Sequence, residues 1–181
     1  MVDNQKTYNL TLPGDTNRFQ ELNAGDFVSI SGTIITARDA AHKRLTEMLN
    51  QGKYLPVDIK NQTIFYTGPT PTQPGKIIGS CGPTTSTRMD SFTPLLLQNG
   101  LKGMIGKGPR SQKVIQAMME TGGVYFYAFG GCGALYARKV KSMAILAFED
   151  LGPEAIFEIQ IKDFPVIVAI DNQGNSIFSS I

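Results

Sequence analysis

The 181-residue chain has no tryptophan, a single histidine and only two cysteines. The missing tryptophan says little, but the scarcity of the other two excludes whole classes of chemistry. Cys81 and Cys132 lie far apart and outside any CxxC arrangement, and one His with two Cys makes no zinc or iron-sulfur motif. They read as buried thiols in a reducing compartment. No run of Lys or Arg forms a basic stripe, and a formal net charge of +2 is too small to suggest nucleic acid. No apolar run approaches the ~18 residues of a membrane span, and no cationic-apolar leader opens the sequence. The expectation is a cytoplasmic protein with no membrane partner. No Ser-His-Asp or Cys-His-Asn set is evident. Neither GxGxxG after a strand nor the P-loop spacing occurs.

What is present is an ordinary globular composition, 41% hydrophobic and 18% charged, long enough for a real core in one domain over residues 1–181. The 19 glycines cluster where loops must approach something closely. The central stretch is Gly79–Phe92, GSCGPTTSTRMDSF. A short apolar strand signal, Lys76-Ile77-Ile78, precedes it. A helix-like run, Pro94–Gln98, follows it and stops at Asn99-Gly100. Such a strand-to-helix turn favours an anion. Thr84, Thr85, Ser86 and Thr87 supply hydroxyls, and Arg88 supplies a planar fork for carboxylate or phosphate. Arg88 in a first helical turn opposes the dipole, a placement that makes sense beside a bound anion. The plainer alternative is a turn with an N-cap.

Along the rest of the chain, Met1–Asp15 reads as an extended arm or edge strand able to pack on a partner subunit. Phe27–Thr36 is a β-branched strand with Gly32 as a bulge. Thr36-Ala37-Arg38-Asp39 fits a capping box with Asp in place of Glu, starting a helix that runs to about Asn50. Its periodicity sets Arg38 and His42 on the face of Leu45 and Leu49, pointing inward. Thr63–Gly68 is a strand and Pro69–Gly75 a proline-rich loop. Leu101–Ile105 leads through Gly106-Lys107-Gly108 into a helix over Gln112–Glu120. Val124–Phe129 ends at Gly130-Gly131-Cys132-Gly133, followed by a short helix, Ala134–Lys139. Cys132 is open to reading as a reactive thiol, though close backbone passage explains the glycines better. Ser142–Phe148, Ala155–Ile161 and Phe164–Ile170 are further strands, and Ile177–Ile181 closes the chain. The pattern predicts a mixed α/β domain with layers of sheet and helix.

Arg38, Arg88 and Lys107, with the hydroxyls of Thr84 and Thr85, suit a small dianion such as a dicarboxylate. Nothing among them strongly activates water, so the set looks like half of an active site. Gly79–Phe92, with GPTTSTRMD at its centre, closely resembles the signature of the β subunit of class I iron-sulfur fumarate hydratases, shared by L-tartrate dehydratases. The similarity extends to Ser31–Arg44, Gly103–Ser111 and Ala128–Ala137, nearly the whole chain in order. The resemblance implies a swivelling β/β/α fold, a mixed sheet with flanking helices, and reversible hydration of fumarate to (S)-malate. It implies a 4Fe-4S cluster held by three cysteines of a partner α subunit, none bound by this chain, and assembly as a heterotetramer. By the same resemblance Arg38, Arg88 and Lys107 bind the substrate carboxylates, and Thr84 and Thr85 are catalytic, bordering the reacting carbons with Thr84 in the proton-transfer role. No metal is assigned to Cys81 or Cys132, and His42 takes a packing or supporting role. L-tartrate is the alternative substrate, and a stand-alone dicarboxylate-binding module the alternative class.

Overall fold

The computed structural model describes residues 6–178. The expectations for residues 1–5 and 179–181 lie outside the described residues. Within them, seven strands form one mixed sheet: β1 (Thr7–Leu12), β2 (Phe27–Thr36), β3 (Thr63–Phe65), β4 (Gly103–Gly106), β5 (Val124–Tyr127), β6 (Val140–Ala147) and β7 (Ile156–Ile170). The helices are α1 (Asp39–Asn50), α2 (Thr93–Gln98), α3 (Gln112–Thr121) and α4 (Gly133–Lys139). The spatial order is β1-β2-β3-β4-β5-β7-β6. Strands β1 to β5 run parallel, and β7 is antiparallel to both β5 and β6. Since β7 also pairs antiparallel with β2, from Phe27↔Ile167 to Thr36↔Phe157, the sheet closes on itself. Crossover segments carrying α1, α2 and α3 join the parallel neighbours β2 to β5, as parallel pairing requires. Among the described residues no helix is long and apolar enough to cross a membrane.

Alternation along the strands sorts the core into two layers. Phe65, Ile105 and Phe126 point into the closed sheet, where Phe164 and Tyr136 stack at 4.5 Å between ring centroids. Ile64, Met104 and Tyr125 point outward and are covered by Leu45, Leu96, Leu97, Val114 and Met118 from α1, α2 and α3. The mixed sheet with flanking helices is the expected fold class. The edge strand in the N-terminal arm, the bulge at Gly32 (φ 99°) and the α3 stop at Gly122 (φ 72°) stand where the residues place them.

Four local expectations are corrected. Lys76-Ile77-Ile78 is not a strand; it belongs to a long loop between β3 and a short 3-10 helix, Ser86–Met89. Prolines at 69, 71 and 74 remove backbone donors there, and Ile78 is buried as a loop anchor instead. Arg88 sits in the last turn of that 3-10 helix, so no helix dipole opposes it. The capping box does not form: the α1 N-cap is Arg38, with no side-chain bond. Thr36 Oγ1 instead accepts the Phe157 N–H across the sheet. The two strands at Ala155–Ile161 and Phe164–Ile170 are one strand, β7, whose apparent break is a bulge with Asp163 at φ 52°.

Candidate functional site

Because β2 to β5 are parallel, their C-terminal ends share one edge of the sheet, where open α/β sheets place their ligands. Arg38 follows β2, the loop carrying Thr84 and Thr85 follows β3, Lys107 follows β4 and the Gly130–Gly133 turn follows β5. The five residues singled out in the sequence therefore arrive at one edge from three different loops.

One carboxylate joins the two arginines. Asp39, the first residue of α1, accepts from Arg38 Nε at 3.1 Å through Oδ2 and from Arg88 Nε at 2.8 Å through Oδ1. Burial would raise its pKa, but its own backbone N–H and the two guanidinium groups outweigh that and hold it below the usual carboxylate range. Glu154 supports the arrangement from before β7, accepting the Ala40 N–H at 2.8 Å and lying 3.4 Å from Arg38 Nε. It thereby satisfies the open start of α1 in place of the capping box. Both arginines are held through Nε, which leaves the Nη1/Nη2 edges free of protein partners among the described residues. Gly68 keeps this packing tight: a Cβ would stand 3.1 Å from Arg38 Cδ and 3.2 Å from the Pro153 carbonyl oxygen.

The threonine loop and the lysine loop are stitched along their backbones. Thr84 N–H donates to the Tyr66 carbonyl at 2.6 Å, Lys107 N–H to the Thr84 carbonyl at 3.3 Å, and Ser86 N–H to the Lys107 carbonyl at 2.9 Å. Thr85 and Lys107 form an isolated parallel bridge, in effect extending β4 by one residue. The Lys107 side chain lies over the next turn, its Cδ 3.6 Å from where a Gly130 Cβ would stand. Its ammonium has no ion pair among the described residues. The structure thus brings Arg38 and Arg88 together, and Thr84, Thr85 and Lys107 together, on the segment 84–88 common to both groups.

Beneath this surface lies a polar layer that sequence reasoning missed. Arg110, fully buried, donates from Nε to Asp90 Oδ1 at 2.7 Å and from Nη2 to Thr93 Oγ1 at 2.8 Å. Its guanidinium sits over the Tyr66 and Tyr125 rings, 5.4 and 5.1 Å from their centroids. The Ser86 and Tyr125 hydroxyls meet at 2.8 Å, and Tyr125 donates on to the Gly108 carbonyl. Arg110 and Asp90 stand in two of the stretches that carry the resemblance, Gly103–Ser111 and Gly79–Phe92, a hint that they answer each other. His42 is also fully buried. Its Nδ1 must donate to the Arg38 carbonyl at 3.0 Å, which leaves Nε2 as an unpartnered acceptor. Burial lowers its pKa to about 4, so it is neutral at physiological pH and supports Arg38 without carrying charge.

Among the described residues no three His, Cys, Asp or Glu side chains converge as a metal would require. Cys81 is buried, which pushes its thiol up to about 12, well away from thiolate character. Cys132 is half-buried at the α4 N-cap. Cavities of about 680 and 600 Å³ lie elsewhere and include none of Arg38, Thr84, Thr85, Arg88 or Lys107. The candidate site gathers three cations and two threonines, all exposed or half-buried, on loops at one edge of the sheet, a composition suited to carboxylates.

The family model described as Fumarase C-terminus matches residues 2–181. The chain is 43% identical over 156 residues to "Fumarate hydratase class I, anaerobic" of Escherichia coli, covering 85% of this chain and 28% of that protein. It is 40% identical over 157 residues to "Fumarate hydratase 2" of Leishmania major, with 86% and 28% covered. It is 36% identical over 168 residues to "Putative L(+)-tartrate dehydratase subunit beta" of Methanocaldococcus jannaschii, with 90% and 86% covered. The chain therefore spans little more than a quarter of those fumarate hydratases but most of the tartrate dehydratase subunit.

Proposed function

Since the chain belongs to the Fumarase C-terminus family, we propose that it is the β subunit of a two-subunit hydro-lyase that reversibly hydrates fumarate to (S)-malate. The observation that carries this reading is the pair of guanidinium groups tied by Asp39 beside Thr84, Thr85 and Lys107 on a surface with one side open. On this reading the set is a dicarboxylate half-site, and residues 1–181 act in it as one domain. A relative of nearly this extent that is named a subunit supports the two-chain arrangement.

Arg38, Arg88 and Lys107 neutralise the two carboxylates of the substrate, and the free Nη edges of the arginines suit bidentate contact. Thr84 and Thr85 border the reacting carbons. Thr84 Oγ1 takes or returns the proton at the carbon next to a carboxylate. The 4Fe-4S cluster that the family resemblance assigns to the α subunit supplies Lewis acidity when bound. On this reading the chain's own part is binding, orientation and proton handling.

The test is anaerobic co-expression with an iron-sulfur α subunit, followed by loss of fumarate absorbance in the purified complex. Arg88→Ala removes a charge-assisted pair and should cost ~1.5–3 kcal/mol of transition-state binding, roughly 10- to 150-fold in kcat/KM. Wild-type activity in the Arg88→Ala complex would withdraw that residue's role. Turnover of L-tartrate without fumarate turnover would establish the tartrate dehydratase reading, which the tartrate dehydratase relative favours. Malate binding by the isolated chain, with no partner that yields turnover, would establish a binding module.

A further inference from the structure

The loop 70–80, α4 and the start of β6 enclose a groove of about 600 Å³ beside the site edge. Its lining includes the apolar Ile77, Ile78 and Val140 and the cations Lys76, Arg138 and Lys141. An adjoining depression adds Lys139 and Lys162, with Asp163 as the one acid in either lining. Arg138, Lys139 and Lys141 lie within four residues of one another, and the fold brings Lys76 and Lys162 to them from distant parts of the chain. None forms an ion pair among the described residues. Ile77 and Leu135, 46% and 47% exposed, stand among them. A chain with a net charge of only +2 thus concentrates unpaired positive charge around exposed apolar side chains.

The groove is continuous with the half-site. Thr70 and Ser80 are joined by two hydrogen bonds of 2.9 Å, and Cys81 N–H donates to the Gly133 carbonyl at 3.2 Å. A Cβ on Gly133 would stand 2.3 Å from Ser80 Oγ and 2.9 Å from Gly82 N, so α4 and the loop touch without slack. Two residues beyond Gly82 comes Thr84. The groove therefore borders the segment that carries Thr84 and Thr85.

We propose that this groove docks a polypeptide segment of the α subunit in which carboxylates flank an apolar side chain. The proposal rests on the two-subunit reading above. A nucleic acid would satisfy the lysines but leave Ile77 and Leu135 uncovered, and an anionic lipid surface is distinguished by the vesicle arm of the test below. An acidic-apolar segment satisfies both. Docking there presses on the loop that ends at Thr84 and so aligns the half-site as the partner arrives.

The test uses the complex with the α subunit of the same organism, with affinity measured anaerobically at about 50 and about 300 mM KCl. Arg138→Glu/Lys141→Glu should weaken assembly about tenfold or more at low salt and flatten the salt dependence. Ile77→Ser should weaken assembly while leaving the salt dependence intact. Melting curves of each variant chain show that it is folded. Variants that assemble like the wild type, with unchanged salt dependence, would overturn the docking proposal and leave the two-subunit reading standing. A wild-type chain that fails to bind the α subunit would remove both. Retention of the wild-type chain by an oligonucleotide or phosphatidylserine vesicles, lost in the charge-reversal variant while α binding is unchanged, would also overturn it.

Discussion

Replacing Arg110 by methionine tests whether the polar layer under the site is what holds its loops. The arginine side chain is fully buried and ends on Asp90, Thr93, the Tyr66 hydroxyl and the faces of Tyr66 and Tyr125. Breaking a buried ion pair from one side costs ~3–5 kcal/mol, because the remaining charge is left without its partner. Asp90 keeps the Ser111 N–H and has 13% of its side chain exposed, which places Arg110→Met at the lower end, about 3 kcal/mol. For a chain of this size that is a fall in Tm of roughly 6–12 °C, read most cleanly as a shift in the urea midpoint at unchanged m. Adding Asp90→Asn should cost much less than its single effect implies, since the double variant leaves no orphaned charge. A loss under ~1 kcal/mol for Arg110→Met, or strictly additive costs in the double variant, would refute the reasoning.

His42 predicts a specific acid sensitivity. Its folded pKa of about 4 lies below the ordinary 6.5, so between those values the unfolded chain binds the extra proton and stability falls as the pH falls. The separation amounts to roughly 3 kcal/mol by pH 4, and comparing urea midpoints of wild type and His42→Leu across pH 7 to 4 should show the variant's slope flattened. Gly106→Ala places a Cβ 2.0 Å from Ser86 Oγ and 2.9 Å from Tyr66 Cδ2; it should cost ~1–3 kcal/mol in thermal unfolding, partly recovered by Ser86→Ala. If the chain is the β subunit proposed above, Asp39→Asn, which loosens both arginines, should raise KM for fumarate in the assembled enzyme by about tenfold. An unchanged KM would mean the arginines are oriented by something else.

Much of the fold was legible because period and punctuation agree. The β-branched run of β2, the VYFY core of β5 and the Gly122 stop of α3 each carry a local signal strong enough to survive packing. What misled was local pattern with a long-range answer. Thr36 matches a cap by spacing, yet its hydroxyl is taken by Phe157, far along the chain, and the α1 start is met by Glu154. Asp163 reads as a break between strands because a bulge at positive φ looks the same in sequence as a turn. In the candidate site, the loops that carry Arg38, Thr84, Thr85, Arg88 and Lys107 were legible, and the parallel strands bring them to one edge of the sheet. Asp39 was read only as a cap, and Arg110 not at all, because burial and pairing are properties of the closed sheet and not of the residue types.

Closure of the sheet by β7 also fixes the order of events when the chain is made. The parallel strands β2 to β5 and their helices leave the ribosome first, while β2 has no antiparallel neighbour until residues 157–167 emerge. Folding therefore waits on contacts between distant parts of the chain, which makes it slow compared with a helical protein of the same length. In the interval the β2 edge is an open template for stray strands. Truncation within Ile156–Ile170 withdraws a neighbour from β2, β5 and β6 at once, so such fragments should accumulate as aggregates and not as a smaller folded unit.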